Sequence, residues 1–324
     1  MVDVSTAPSA MSTAIALWLV YGCGLALYAA WAIPHIAAGG SPWWYAAGAL
    51  VVYAGALVAF TTLWFSLAWV HRARRPEAMQ IGAAASLRLY WNELRAIARS
   101  GPRMALYRLL RDPPAATAAL PVLLVHGVLC NAGALAGLRA DLIARGIGPV
   151  YTFSYGPPLA SIDVFSDQLA ARVGIILSET GASRLAIVGH SMGGLVARDY
   201  LRRYGGATVD IVMTLGSPHH GSVHAYLFPG SCLEQMRPAS RWLAELNGEP
   251  LPRGVRFVSL WSWHDSMVAP QTSARLDGAE NIELRGIGHN ALIGDRQVYA
   301  LVAAELERAT GLSRLRAATS CVTS

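Results

Sequence analysis

No Asp, Glu, Lys or Arg occurs in residues 4–71, and so long a charge-free run leaves the chain few ways to fold. Two apolar segments, at about 14–36 and 43–70, lie within it, and the Gly, Ser and Pro residues between them predict a turn. A helix needs about 20 apolar residues to cross a bilayer core, and each segment is long enough. We therefore expect residues 1–71 to form a two-helix transmembrane hairpin.

The composition favours the hairpin over two alternatives. The chain is 54% hydrophobic and only 14% charged, which is more apolar than a typical soluble protein. A pair of buried core helices would seldom be free of charge over such a length. A cleaved signal peptide is disfavoured because residues 1–13 contain one charged residue, Asp3, and no basic region.

The basic excess of the chain lies directly after the hairpin. Residues 72–111 contain nine arginines and two acids, Glu77 and Glu93, whereas the whole chain has a net charge of +6. Positively charged flanks stay on the cytoplasmic side of a membrane, so we expect both the N-terminus and everything after residue 71 to be cytoplasmic.

Residues 72–120 are interpreted as a basic, partly helical linker. Leu87, Tyr90, Leu94 and Ile97 recur at helical spacing. Such a helix could lie on an anionic lipid surface or pack on the following domain, and the sequence leaves both open. No nucleic-acid-binding module accompanies the arginines, so we expect no nucleic-acid partner.

From residue 121 the pattern changes to short apolar runs that alternate with longer helical stretches. This alternation predicts an α/β domain with a mostly parallel sheet flanked by helices. The expected strands are "PVLLVHG", "GPVYTFSY", "RLAIVGH", "VDIVMTLGS", "VRFVSLWS" and "NIELRGI". The expected helices cover about 132–144, 162–180, 192–204, 234–246 and 291–310.

The stretch "LAIVGHSMGGLVAR" places Ser191 between an apolar strand and a helix. A serine is activated by an adjacent base, and a sharp strand-to-helix turn exposes its oxygen. Such a turn crowds the residues two before and two after the serine, and Gly189 and Gly193 occupy those positions beside His190. The pattern predicts a nucleophile elbow at Ser191.

An acid and then a histidine should follow such a serine along the chain. Asp265 comes just after a strand, whereas the competing Asp210 begins a strand and Asp277 lies in a polar turn. His289 follows the last strand in a glycine-bracketed loop. We therefore expect Asp265 to orient His289, and His289 to act as the base.

Two backbone amides are expected to bind the developing oxyanion, those of Val128 and Met192. Val128 follows "HG" at the end of the first strand, where His126 is interpreted as a structural residue. The histidine-rich segment near residues 219–224, with His264 and Asp265, lacks the spacing of a tetrahedral metal site, so no metal is expected.

Residues 121–312 resemble the α/β-hydrolase superfamily, and within it the bacterial lipases and esterases. The resemblance rests on "VLLVHGV", "GHSMGG", "LGSPHHG", "CLEQMRPASRWLAELN", "HDSMVAP" and "GIGH". It implies a serine ester hydrolase that uses Ser191, Asp265 and His289, with Val128 and Met192 as oxyanion donors and with no cofactor. A retained hairpin differs from the secreted lipases and implies a bacterial inner-membrane enzyme.

A lid-like segment at about 222–252 next to a membrane anchor favours acyl esters drawn from the bilayer, such as phospholipid, lysophospholipid or diacylglycerol. An acyltransferase or thioesterase with the same triad stays an alternative, as does a noncatalytic membrane scaffold. Cys130 and Cys232 are expected to be thiols, because a bridge between them would place the domain outside the cytoplasm. Residues 313–324 are interpreted as a C-terminal tail, and the sequence does not determine the oligomeric state.

Overall fold

The computed structural model describes residues 8–114 and 117–322. Parts of the predicted hairpin, linker and tail, at residues 1–7, 115–116 and 323–324, lie outside the described residues. The charge-free region forms two helices, α1 (Pro8–Ala37) and α2 (Pro42–Val70), joined by a short turn. Within the described residues they are the two helices long and apolar enough to cross a membrane, with mean hydropathies of 1.7 and 1.9, and most of their surface is exposed.

The basic region contains helix α3 (Ala83–Ala105), which packs against both the hairpin and the domain that follows. Towards the hairpin, the Tyr90 hydroxyl lies 2.8 Å from Thr62 Oγ1 and 3.1 Å from Val58 O. Towards the domain, Ala96 packs against an apolar layer of the domain core, and Met104 O accepts a hydrogen bond from Asn131 Nδ2 at 2.9 Å. Of the two interpretations of this helix, the structure therefore shows packing on the following domain.

Six parallel strands form one sheet in the order β2-β1-β3-β4-β5-β6. Five of them lie within the runs expected to be strands, and β6 starts one residue before its expected run, which confirms the α/β class. Their bounds are β1 Val122–Val125, β2 Val150–Phe153, β3 Leu185–His190, β4 Val209–Leu215, β5 Arg256–Ser262 and β6 Glu280–Leu284. The helices of this domain are α4 Ala136–Ala144, α5 Ile162–Thr180, α6 Met192–Tyr204, α7 Ser231–Gln235, α8 Arg241–Gly248 and α9 Arg296–Val322.

Helices cover both faces of the sheet. In β1, Leu123 and Val125 point to one apolar layer, which they share with α5 and α6, whereas Val122 and Leu124 point to a second layer with α4 and α9. Alternate residues of a strand face opposite sides, so a strand covered on both faces must be apolar at every position. This arrangement leaves the carboxyl ends of the strands as the edge where an α/β sheet places its functional loops.

Three helices differ from the expected bounds, and the first of them, α4, begins at Ala136 after a short 3-10 helix at Ala132–Leu135. The helix expected at 234–246 is divided into α7 and α8 because Pro238, which has no backbone N–H, lies between them. Ser240 then starts α8, and its hydroxyl accepts a hydrogen bond from Leu243 N at 3.2 Å. Helix α9 begins at Arg296 and continues to Val322, through most of the stretch interpreted as a tail.

Candidate active site

Ser191 lies on the one residue that separates β3 from α6. Its backbone has φ 56° and ψ −125°, a left-handed conformation that costs a residue with a side chain about 1–3 kcal/mol. The turn is fixed by neighbouring backbone: Ser191 N donates to Leu215 O at 2.9 Å, and Gly194 N donates to Ser191 O at 3.1 Å. The serine is therefore held in a strained conformation at the carboxyl end of a central strand.

The two glycines around Ser191 allow a close approach of backbone segments. A Cβ placed on Gly189 would lie 2.6 Å from the carbonyl carbon of Gly193, and one on Gly193 would lie 2.6 Å from His126 O. Real Cβ atoms essentially never make such contacts with backbone atoms. Glycine at both positions is thus a requirement of this sharp strand-to-helix turn.

Asp265 and His289 form a buried pair in the loops that follow β5 and β6. His289 Nδ1 lies 2.9 Å from Asp265 Oδ2, and both side chains are buried. The other carboxylate oxygen, Asp265 Oδ1, accepts hydrogen bonds from Met267 N at 2.8 Å and Val268 N at 2.7 Å. These contacts fix the position of the carboxylate. In the neutral form of His289, Nδ1–H donates to this carboxylate and Nε2 carries no proton.

The pKa values of the two histidines at the site, His289 and His190, are shifted in opposite directions from the ordinary value. Burial alone lowers the pKa of His289, but the charge and hydrogen bond of Asp265 outweigh burial and raise it above the usual 6.5. Burial lowers the pKa of His190 to about 3. His190 is therefore neutral near pH 7, and its Nε2–H donates to His289 O at 3.1 Å.

These contacts bring the serine and the buried pair to one place. The rings of His190 and His289 are 4.7 Å apart between centroids, and His190 directly precedes Ser191. On the other side, Leu215 accepts the Ser191 amide, and a Cβ on the next residue, Gly216, would lie 3.0 Å from Asp265 Oδ2 and 3.4 Å from His289 Nδ1. The three predicted triad residues are thus neighbours at the carboxyl ends of β3, β5 and β6.

Both predicted oxyanion amides border Ser191. Met192 begins α6, and amides of the first helical turn have no acceptor within the helix. Val128 follows Gly127, where a Cβ would lie 2.9 Å from Ser191 Cβ and 3.4 Å from Ser191 Oγ. The loop after β1 therefore passes directly beside the serine, at a place where its backbone could reach an oxygen bound there.

His126 is buried beneath this loop. Its Nδ1 lies 2.8 Å from Gly127 O, and its ring stacks on Tyr155 with centroids 4.1 Å apart. Burial lowers its pKa to about 4, so it is neutral near pH 7. These contacts fit the structural role that the sequence indicates for His126.

The competing acids lie elsewhere: Asp210 is paired with Arg184 at 3.1 Å, and Asp277 is exposed. Among the described residues, no group of three or more His, Cys, Asp or Glu side chains could hold a metal ion. Cys130 and Cys232 are free thiols.

The segment after β4 borders both the site and the hairpin. His224 is buried, and its ring lies 4.9 Å from the ring of Trp64 on α2, while Phe228 lies 6.4 Å from Trp64. Tyr226, Leu227 and Phe228 are exposed apolar side chains beside these contacts. The segment predicted to be a lid thus touches the second apolar helix.

One acidic residue at the site was not predicted. Glu93 of α3, one of the two acids in the basic region, is buried against the loops of Asp265 and His289. The available signal was that Glu93 is the only acid in a helix with four arginines, since a lone carboxylate on an otherwise basic helix often has a specific partner.

Parts of this chain are similar to known proteins. The family model of the PGAP1-like alpha/beta domain matches residues 162–274. A triacylglycerol lipase of Pseudarthrobacter phenanthrenivorans is 34% identical over 121 residues, a match that covers 32% of this chain. The match spans only 35% of that relative's own length.

Two solved structures share the fold at low sequence identity. The mature form of a Bacillus licheniformis lipase superposes with a TM-score of 0.53 at 18% identity, over 60% of this chain and 94% of that one. Aspergillus fumigatus lipase B gives a TM-score of 0.55 at 16% identity, over 70% of this chain and 77% of that one. With its parallel six-stranded sheet, this chain has the α/β-hydrolase fold, and part of its sequence is similar to a triacylglycerol lipase.

Proposed function

We propose that the protein is a membrane-anchored serine carboxylic-ester hydrolase with Ser191 as nucleophile, His289 as general base and Asp265 as the acid that orients the base. One observation carries the proposal: a serine in a strained backbone conformation lies beside a buried imidazole–carboxylate pair. Backbone strain persists in proteins mainly where it serves function, and a buried histidine paired in this way has a free Nε2 to accept a proton.

The reaction is acyl transfer in two steps. His289 Nε2 takes the proton of Ser191 Oγ as this oxygen attacks the ester carbonyl, and the amides of Val128 and Met192 hold the resulting oxyanion. The tetrahedral intermediate expels the alcohol, which receives the proton from His289. Water then attacks the acyl-enzyme by the same route, which releases the carboxylic acid and restores Ser191.

Labelling with a fluorophosphonate probe tests the nucleophile. Wild type should label, whereas Ser191→Ala should not label at all and His289→Ala should label far more slowly. Ser183→Ala is the matched control, because Ser183 is an exposed serine just before β3. Equal labelling of wild type and Ser191→Ala would exclude Ser191 as the nucleophile.

The substrate class that we propose is acyl esters of membrane lipids. The matched relative is a triacylglycerol lipase, and Phe228, one of the exposed apolar residues of the predicted lid segment, lies beside Trp64 of α2. Rapid cleavage of a short soluble ester together with no cleavage of phospholipid or diacylglycerol in vesicles would contradict this part of the proposal.

We propose that the three segments of the chain hold the enzyme at the bacterial inner membrane. Residues 1–71 are the anchor, 72–120 the linker and 121–312 the catalytic domain, which lies on the cytoplasmic side because the arginines of residues 72–111 follow α2 directly. A single cysteine at the exposed position 277, in a variant without the native cysteines, should react with an impermeant maleimide in inverted vesicles and not in intact cells. The opposite pattern, or loss of residues 1–71 from the purified protein, would contradict the anchor or its orientation.

A further inference from the structure

Helix α3 carries one carboxylate into the hydrolase domain. Glu93 is the only acid of this helix, yet its exposed fraction is 1%, while Arg88, Arg95 and Arg99 are exposed. Burying a carboxylate is costly unless hydrogen bonds replace its hydration. The placement of Glu93 therefore needs specific partners on the domain.

Those partners come from the two loops that hold the proposed acid and base. Glu93 Oε1 accepts hydrogen bonds from Ser266 Oγ at 2.7 Å and from both Asn290 N and Asn290 Nδ2 at 2.9 Å. Glu93 Oε2 accepts one from Ala291 N at 2.9 Å. Ser266 directly follows Asp265, and Asn290 directly follows His289, so one carboxylate joins the two loops.

The loop of His289 is shaped for this contact. A Cβ on Gly288 would collide with the Glu93 carboxylate, so glycine lets the loop approach α3 closely. Ser266 Oγ also lies 3.4 Å from His289 N, which adds a second link between the loops at the same place.

From these contacts we propose that Glu93 is a positioning residue of the active site, which makes α3, outside the hydrolase domain, part of the catalytic arrangement. The inference rests on the proposed function. Glu93 touches no reacting atom. It fixes the relative positions of Asp265 and His289 by binding the residues that follow them. Since α3 also packs on α2, one helix contacts both the anchor and the active site.

The negative charge of Glu93 affects the pKa of His289, which an uncharged structural contact would not do. Four titratable groups face His289: Asp265, Glu93, His190 and His224. Burial lowers the pKa of His190 to about 3 and that of His224 to about 4, so both are neutral at working pH. After Asp265, Glu93 is the group whose charge raises the pKa of His289.

Steady-state kinetics of Glu93→Gln test the proposal. We expect kcat on a short soluble ester to fall on the order of 10²-fold, because small displacements of catalytic groups have such effects, with KM little changed. The acidic limb of the profile of kcat/KM against pH should move to lower pH. Glu77→Gln is the matched control, since it removes one negative charge from the same basic region at an exposed site and should behave as wild type.

A second measurement does not depend on catalysis. With 13C-labelled histidine, the signal of His289 is identified by its loss in His289→Gln, and its titration midpoint should be lower in Glu93→Gln than in wild type or Glu77→Gln. An unchanged midpoint together with an unchanged kcat would overturn the role of Glu93. If wild type neither labels nor hydrolyses esters while the midpoint still moves, the proposed function fails and the contact of Glu93 with the His289 loop stands.

If Glu93→Gln does not fold, Asn290→Ala provides the test. This variant removes one of the four donors and keeps the charge of Glu93. We expect a lower kcat with the acidic limb of the pH profile unmoved. A wild-type kcat in Asn290→Ala would overturn the positioning role.

Discussion

The pKa of His289 sets the pH range in which the proposed enzyme works. His289 must be neutral to take a proton, and Asp265 raises its pKa above 6.5 despite burial. As pH falls through that raised pKa, the base becomes protonated and kcat/KM should decline. We therefore predict an acidic limb with its midpoint above 6.5, measured on a soluble ester, because kcat/KM reports the free enzyme. His190 and His224 titrate near 3 and 4 and cannot produce this limb, so a midpoint at or below 6.5 would contradict the assignment of His289.

Asp265 determines which nitrogen of His289 carries the proton. Asn at this position lacks the negative charge that holds the proton on Nδ1, so Nε2 would no longer be free to accept the proton of Ser191. We predict that Asp265→Asn lowers kcat by about 10⁴. Asp277→Asn, at an exposed aspartate, serves as control and should keep full activity. A folded Asp265→Asn protein within tenfold of wild type would assign the acid elsewhere.

At the scale of elements, hydrophobic periodicity and glycine placement were enough to predict the sheet. Strands β1 to β5 are largely apolar runs because both faces of the sheet are covered there, and such runs are recognisable without knowledge of their neighbours; the edge strand β6 is partly exposed and more polar. The division between α7 and α8 could also have been predicted, because Pro238 cannot continue a helix. The length of α9 could not, since its polar last turns carry no clear stop signal.

Local sequence also placed the main side chains of the candidate site. Ser191, Asp265 and His289 each follow a strand, and parallel strands bring their carboxyl ends to one edge, where the structure has all three. The position of Glu93 could not be predicted in this way, because its partner Asn290 lies 197 positions further along the chain. Nothing in the periodicity of α3 indicates which face meets the domain, so this contact depends on tertiary packing alone.

Helix α2 contacts the segment that we propose as a lid, and this contact suggests how lipid reaches the site. Trp64 lies against His224 and Phe228, and an aromatic contact of this kind is worth about 0.5–1.5 kcal/mol, or about two- to tenfold in rate. We predict that Trp64→Ala lowers the rate on phospholipid vesicles by such a factor and leaves the rate on a soluble ester nearly unchanged. Trp44→Ala, at an exposed tryptophan of the same helix, should affect neither rate. Equal losses on both substrates in Trp64→Ala would mean that the contact supports folding and has no special role for lipid.

In the whole molecule, the segment that follows α2 binds loops at the functional edge of the sheet. Ala73 N donates to Gln271 Oε1 at 3.1 Å, and Arg75 Nε donates to Trp263 O at 2.8 Å, both in or beside the loop of Asp265. The basic region thus binds the domain at the same edge that holds Ser191.

The neutral histidines buried in the domain make its stability depend on pH. Burial lowers the pKa of His126 to about 4 and that of His190 to about 3, whereas both are near 6.5 in an unfolded chain. Below pH 6.5 the unfolded state therefore binds more protons than the folded state, so stability is lost as pH falls towards 4. The loss is about 1.4 kcal/mol per pH unit for each histidine. His289 adds no slope in this window, because its raised pKa leaves it protonated in both states below 6.5.

We predict that the free energy of unfolding, measured by denaturant titration in detergent at pH 6, 5 and 4, decreases steeply as the pH is lowered. His126→Gln removes one of the titrating groups, so its slope should be smaller than that of wild type by about 1.4 kcal/mol per pH unit, whatever its stability at pH 7. His71→Gln is the control, because His71 is exposed just after α2 and should leave the slope unchanged. Equal slopes in wild type and His126→Gln would show that His126 is not buried in its neutral form. The backbone that it supports beside Ser191 would then be held by other contacts, such as the bond from Ala132 N to Ser154 Oγ at 3.0 Å.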